Sequence, residues 1–121
     1  MFDTASYVSL RTYRRSGTSV DTPVWIAPAG DKLYVFSAGD AGKVKRLRLG
    51  HTAALATCDA RGNLKGEWHN VRAELTSDDE EIQLALAAFR NKYGWQMRLA
   101  DWGAKFSGRF NKRAYIRISK L

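Results

Sequence analysis

A chain of 121 residues, 45% hydrophobic and 26% charged, can bury one real core, which excludes a disordered tail and leaves no room for two domains. A formal net charge of +8 favours acidic partners: phosphates, polycarboxylates, nucleic acid or an anionic surface. One cysteine and two histidines exclude an intrachain disulfide and any zinc-type spacing, and a lone thiol suits a reducing cytoplasm.

In chain order, the N-terminal stretch lacks an uninterrupted apolar segment, so the expectation is a soluble, cytoplasmic protein without signal peptide, transmembrane span or membrane partner. Tyr7 to Tyr13 is rich in β-branched and aromatic residues and reads as a first strand, turned by Arg14-Arg-Ser-Gly17. A second strand is expected over Ser19 to Ala27. Pro23 inside it cannot donate to a ladder, so it marks an edge, a bulge or a break, any of which leaves backbone groups for a ligand to meet. Pro28-Ala-Gly-Asp31 reverses the chain into a third strand, Lys32 to Ser37.

The next stretch, Ser37-Ala-Gly-Asp-Ala-Gly-Lys43-Val-Lys45-Arg46-Leu-Arg48, changes character abruptly. Val44 and Leu47 stand three apart, which predicts a short helix from Ala41 or Gly42 with one apolar face. A hydroxyl, two glycines and four cations at a strand-to-helix turn are the parts of an anion site, most naturally for a phosphate. On these residues alone a solvated basic face is the commoner outcome, and both readings stand at this point.

His51 to Cys58 is a strand of small residues, which implies a bulky neighbour. Asp59-Ala-Arg-Gly62-Asn63 is a turn, and the chain returns through Gly66 to Thr76. Five strands in succession, mostly joined by short turns, argue for a small antiparallel barrel or sandwich. The period then switches. Ser77 with Glu80 fits a capping box, acids crowd the first turn, and Ile82, Leu86, Phe89 and Tyr93 form one stripe of a helix over Asp78–Tyr93, closed by Gly94. Trp95, Leu99, Trp102 and Phe106 continue at helical spacing, so a second amphipathic segment is expected from about Trp95 to Lys105, with Trp102 in the core. Ser107 to Arg113 is a polar, cationic loop, and Ala114 to Leu121 alternates as a closing strand. The whole chain, 1–121, reads as a single domain.

No nucleophile–base–acid set stands out. His51 and His69 read as surface or turn residues, Cys58 as inert packing in an apolar strand, and Asp78 to Glu81 as a helix start. That absence suits a cofactor enzyme, in which the cofactor carries the chemistry and the protein positions it.

Taken together and in order, Arg15 and Gly17, Thr22-Pro-Val-Trp25, Gly42-Lys-Val-Lys-Arg-Leu-Arg48, Cys58-Asp59 with Arg61-Gly62, Gly66 with Trp68, and Lys92-Tyr-Gly-Trp95 resemble a known family. The chain is similar to the pyridoxamine-phosphate-oxidase-like split β-barrels, and within them to the small actinobacterial branch thought to use the deazaflavin coenzyme F-420. Relatives in this superfamily bind FMN, F-420 or haem. The resemblance implies a mainly β, α+β fold: a split antiparallel barrel with one or two flanking helices. It also implies a homodimer with two cofactor sites at the subunit interface and an oxidoreductase acting on a small organic substrate.

By the same resemblance, Ser37 and Lys43 match positions that contact the cofactor phosphate, with Gly42 and Arg46 close by. Thr22, Pro23, Val24 and Trp25 match the strand lining the flavin ring. One departure bears on the cofactor: FMN-using relatives usually carry a serine-arginine pair ahead of the lysine, where this chain has Ala41-Gly42. Fewer phosphate donors favour F-420 over the alternative, FMN. The phosphodiester and oligoglutamate tail of F-420 would suit a broad cationic surface, for which Lys45, Arg46, Arg48, Arg109, Lys112 and Arg113 are candidates. Trp25 and Trp95 are candidates for the substrate side. A rival of another class is a single-stranded nucleic-acid binder, against which the cations cluster instead of alternating with aromatics. Haem carriage is a third, with His51 or His69 as the axial ligand.

Overall fold

The computed structural model describes residues 2–39, 41–108 and 112–121. Alternating apolar positions between polar turns give strands β1 (Tyr7–Tyr13), β2 (Ser19–Val24), β3 (Ala27–Ala29), β4 (Lys32–Ala38), β5 (Thr52–Cys58), β6 (His69–Thr76) and β7 (Arg113–Lys120). Helix α1 (Gly42–Leu47) follows β4, and α2 (Asp79–Tyr93) and α3 (Trp95–Phe106) lie between β6 and β7. The strands form one sheet in the order β2-β1-β5-β6-β7-β4-β3, with every neighbouring pair antiparallel. Only Trp25 and Ile26 separate β2 from β3, the two edges of the sheet. Two residues span less than about 10 Å, so the sheet must curl until its edges approach. It remains unclosed, an α+β split barrel.

Side chains alternate between two cores. Leu33 and Val35 of β4 and Ile116 and Ile118 of β7 face the first, with Val8, Leu10, Leu55 and Leu47 of α1. Tyr34 and Phe36 face the second, where Tyr115 meets Ala85, Leu86, Phe89 and Tyr93 of α2 and Met97 of α3. The period of two along each strand and the helical stripe of α2 account for both.

The expected second strand breaks at Trp25-Ile26, beyond Pro23 rather than at it. Pro23 sits opposite Ser9 on the edge strand, where its missing N–H does no harm. The bend beyond it is held by α2: the Ile26 N–H donates to the Tyr93 hydroxyl at 3.0 Å, and Lys92 Nζ donates to the Ile26 and Ala5 carbonyls at 2.6 Å each. The Trp25 indole stacks on Tyr93, ring centroids 4.5 Å apart and planes 9° from parallel.

The returning strand begins at His69 rather than Gly66. The bulky neighbour of small-residue β5 is in part Trp68: Arg11, opposite Ala54, lays its guanidinium 3.8 Å from the Trp68 ring centroid. The Asp59 turn is closed by its own carboxylate, which accepts from the N–H groups of Arg61 and Asn63 at 2.9 Å.

The cap of α2 is displaced by one residue from the Ser77–Glu80 pairing. Asp78 is the N-cap and accepts from the Glu81 N–H at 3.3 Å, which frees the Glu81 carboxylate for the sheet. The largest difference concerns α3. Its buried residues are Met97 and Asp101, while Trp95, Leu99, Trp102 and Phe106 all face outward, Trp102 at 70% and Phe106 at 85% exposure. Trp102 is therefore not in the core.

Candidate functional site

The short helix forms where expected, with Val44 and Leu47 buried. Leu47 enters the first core, so α1 seals that end of the barrel. Ser37, 9% exposed, lies on the same face of β4 as Val35 and so points toward this end. The N-cap residue Ala41 offers no side-chain acceptor to the first turn.

Arg46 organises what surrounds it. Its Nε donates to the Thr12 hydroxyl of β1 at 2.6 Å, and Thr12 itself is 1% exposed. The guanidinium then folds back over the start of its own helix: a Cβ on Gly42 would come 2.7 Å from Arg46 Nη1. Glycine at 42 thus provides the space that lets a delocalised cation sit against the first turn. Lys43 is half-buried beside it. Burial first, and the neighbouring Arg46 charge second, lower its pKa from the usual lysine value. Two cations held this close together repel each other, and an anion between them relieves the repulsion.

A cleft of about 220 Å³ opens at the C-terminal end of α1, with Arg46 in its lining together with Tyr13, Arg14, Arg15, Leu47 and Thr52 among others. Arg14 and Arg15 come from the β1–β2 hairpin, which the sequence presents only as a turn. Nothing local marks them as site residues; the fold brings the hairpin to the far end of α1.

The structure brings Gly42, Lys43 and Arg46 together at the start of α1, with Ser37 near the end of β4 that leads into it. Thr22, Pro23, Val24 and Trp25 form a separate group on the edge strand and the bend after it. β2 nonetheless approaches β4 across the open seam. Thr22 is half-buried, Pro23 exposed and Val24 buried. Trp25 is half-buried, its ring packed on Tyr93 and Phe36 at the border of the second core. Trp95 is 69% exposed and remains available.

The surface candidates divide. Lys45 is exposed on α1, and Arg48 is exposed as its C-cap. Lys112 is exposed, and its carbonyl accepts from the Gly39 N–H at 2.9 Å, which places it beside the turn. Arg113 is not available to a ligand: its Nη1 donates to Asp101 at 2.7 Å in an ion pair with side chains only 6% and 9% exposed. Arg109 lies outside the described residues. His51 and His69 are both exposed, and Cys58 is buried, its thiol pKa raised by burial and by Asp59.

No known protein-family profile and no curated protein matches this chain. Solved structures do match. Atu2129 from Agrobacterium tumefaciens, of unknown function, aligns over 99% of this chain with a TM-score of 0.73 at 18% identity. This chain spans 51% of that protein's length. HutZ, a haem storage protein from Vibrio cholerae, aligns over 99% of this chain and 84% of its own, with a TM-score of 0.72 at 11% identity. An F-420 reductase aligns over 99% of this chain and 90% of its own, with a TM-score of 0.62 at 15% identity. These likenesses establish the split-barrel fold.

Proposed function

We propose that this chain is a flavin-type split-barrel oxidoreductase that takes coenzyme F-420, with FMN as the alternative, and passes a hydride between it and a small organic substrate. The observation that carries the reading is the Arg46 guanidinium folded over Gly42 beside half-buried Lys43. A planar, permanently charged group and a compact point charge at one strand-to-helix turn fit a phosphate or phosphodiester. Sharing a fold with an F-420 reductase supports the cofactor class.

On this reading Lys43 and Arg46 hold the phosphate, with Ser37 at the floor of the turn. The cleft of Arg14 and Arg15 offers further positive charge to an anionic tail. Thr22, Pro23 and Val24 lie on an edge strand, where every second residue leaves its outer backbone groups unpaired, and such groups suit the polar rim of a flavin ring. When bound, the deazaflavin supplies the hydride chemistry, and the protein's part is to place it and to keep water from its face. A second copy of the chain completes the proposal: it would cover Leu99, Trp102 and Phe106, which otherwise lie open to water.

Parallel absorbance and fluorescence titrations with F-420, FMN and haem, beside a labelled oligonucleotide, test this. F-420 is expected to bind more tightly than FMN, with an affinity that falls as salt is added, because the attraction is largely between charges. Equal or tighter FMN binding that ignores salt would move the assignment to FMN. Uptake of haem or oligonucleotide in place of either would end it.

A further inference from the structure

We propose that Lys92 and Tyr93 are positioning residues for the cofactor ring: they wedge the end of β2 away from β1 and so set the seam beside which the ring lies. This inference deepens the cofactor reading above and rests on it.

The ladder between β1 and β2 reaches Val8 opposite Val24. Carried on by two residues, it would pair Ser6 with Ile26. The Tyr93 hydroxyl stands between them instead. It accepts from the Ile26 N–H at 3.0 Å and lies 2.9 Å from both the Ser6 and the Ile26 carbonyl oxygens. A phenol has one proton, so it serves one of these carbonyls at a time. Lys92 resolves the competition. Its ammonium donates to the Ile26 and Ala5 carbonyls at 2.6 Å each, which leaves the Tyr93 proton for Ser6. Ala5, Ser6 and both backbone groups of Ile26 are then satisfied through α2 and not through the ladder. Two bonds through an oxygen span more than the single bond of about 2.9 Å in a ladder, so the strand ends part here.

The parting matters for what hangs from it. Trp25 alone separates Ile26 from β2, and Ile26 leads directly into β3, whose Ala27 pairs with Tyr34 of β4. The wedge therefore fixes the end of β2 relative to β4 across the open seam. Trp25 is fixed with it, by its stack on Tyr93. The cofactor reading puts the phosphate at the turn after β4 and the ring beside Thr22, Pro23 and Val24 of β2. The two ends of the cofactor are then held from opposite sides of the seam, and its width decides whether both contacts form at once.

The test follows the ring as well as the affinity. With F-420 at saturation, or FMN if that is the flavin bound, a ring held in one orientation gives a visible circular-dichroism band that a mobile ring loses. Lys92→Met and Tyr93→Phe should each lose most of that band. Each should also weaken binding by about tenfold, because a loosened bend must be reordered on binding. Tyr93→Phe keeps the ring that stacks on Trp25, so it removes the wedge alone and carries the test should Lys92→Met fail to fold; thermal melts show which variants are folded. Both should keep the parent's slope of affinity against salt, since the phosphate contacts remain. Lys43→Ala should do the reverse, with a shallower slope and the band intact at saturation. Parent-like band and affinity in the folded wedge variants would overturn the proposal. A slope flattened as in Lys43→Ala would assign the effect to a general disturbance, with the same consequence, as would a parent that binds the cofactor with no band. A parent that takes up neither F-420 nor FMN would overturn the cofactor reading itself, and the positioning role with it.

Discussion

Gly42 and Arg46 act as a pair, since the side chain that residue 42 lacks leaves the space that the guanidinium occupies. Gly42→Ala therefore separates binding from stability. Replacing a helical glycine should stabilise by about 0.4–1 kcal/mol, yet the new Cβ must push the guanidinium away from the turn. The expected outcome is a melting temperature equal to the parent's or higher, with weaker F-420 binding by titration. Lys43→Ala probes the same site from the other side. It should weaken the cofactor by about 1.5–3 kcal/mol, on the order of ten- to a hundredfold, with little change in stability. Lys112 makes a poor control because its carbonyl touches Gly39. Lys32, at the opposite end of β4, is a better one. If Lys43 contacts the phosphate, its loss should exceed that of Lys32→Ala even at high salt. Matching isotherms for the two variants would leave only a general field effect.

At the scale of elements, α2 is tied to the sheet at both ends by polar side chains. Its C-terminal Lys92 and Tyr93 hold the β2–β3 bend, so two residues of the family-like Lys92-Tyr-Gly-Trp95 stretch serve architecture. At its N-terminus the Glu81 carboxylate accepts from the Thr76 hydroxyl, from Tyr34 Oη at 2.6 Å and from Arg117 Nη1 at 2.8 Å. Burial raises the Glu81 pKa, but the bonds from Thr76, Tyr34 and Arg117 outweigh it and leave the carboxyl below its usual value. The partner phenol is pushed up to about 12, by burial first and by Glu81 second. A carboxyl whose folded pKa is depressed contributes stability that is fully present above its unfolded value, and loses it as pH falls through the folded one. Glu81→Gln should cost about 2 kcal/mol at neutral pH, the scale of a hydrogen bond to a charged group. That difference from the parent should shrink below about pH 4, near the unfolded glutamate pKa. Melting temperatures of both proteins between pH 3 and pH 7 check this; a gap independent of pH would assign the effect to packing.

Over the whole molecule, the outward stripe of α3 is the least settled surface. Trp95, Leu99, Trp102 and Phe106 are each more than half exposed along one helix, more contiguous apolar surface than a lone small domain usually leaves in water. Light scattering at micromolar concentration should give twice the chain mass. Trp102→Asp should return a monomer that still melts cooperatively, since its side chain supports neither core. A parent that is monomeric at that concentration would remove the second copy from the proposal. In that case the cofactor would have to be held by one chain.

The chain's own order of residues determined the strands, the basic helix after β4, the long helix with its acidic start, and the fold class. Each is written in local periodicity and turn chemistry, which act over a few residues. Tertiary structure decided which face of α3 turns inward. The aromatic stripe is the more apolar side, but Asp101 on the other side finds Arg90 and Arg113, and Met97 finds the second core. It also decided the break after β2, because the hydroxyl and ammonium that hold Ile26 come from residues 67 and 66 positions away. The candidate binding turn is divided in the same way. Ser37, Gly42 and Lys43 lie in one short stretch of sequence and are legible there, whereas Thr12, Arg14 and Arg15 reach Arg46 only once β1 has paired and α1 has closed the barrel. Periodicity shows that an element has two faces; which face is buried depends on partners distant in sequence.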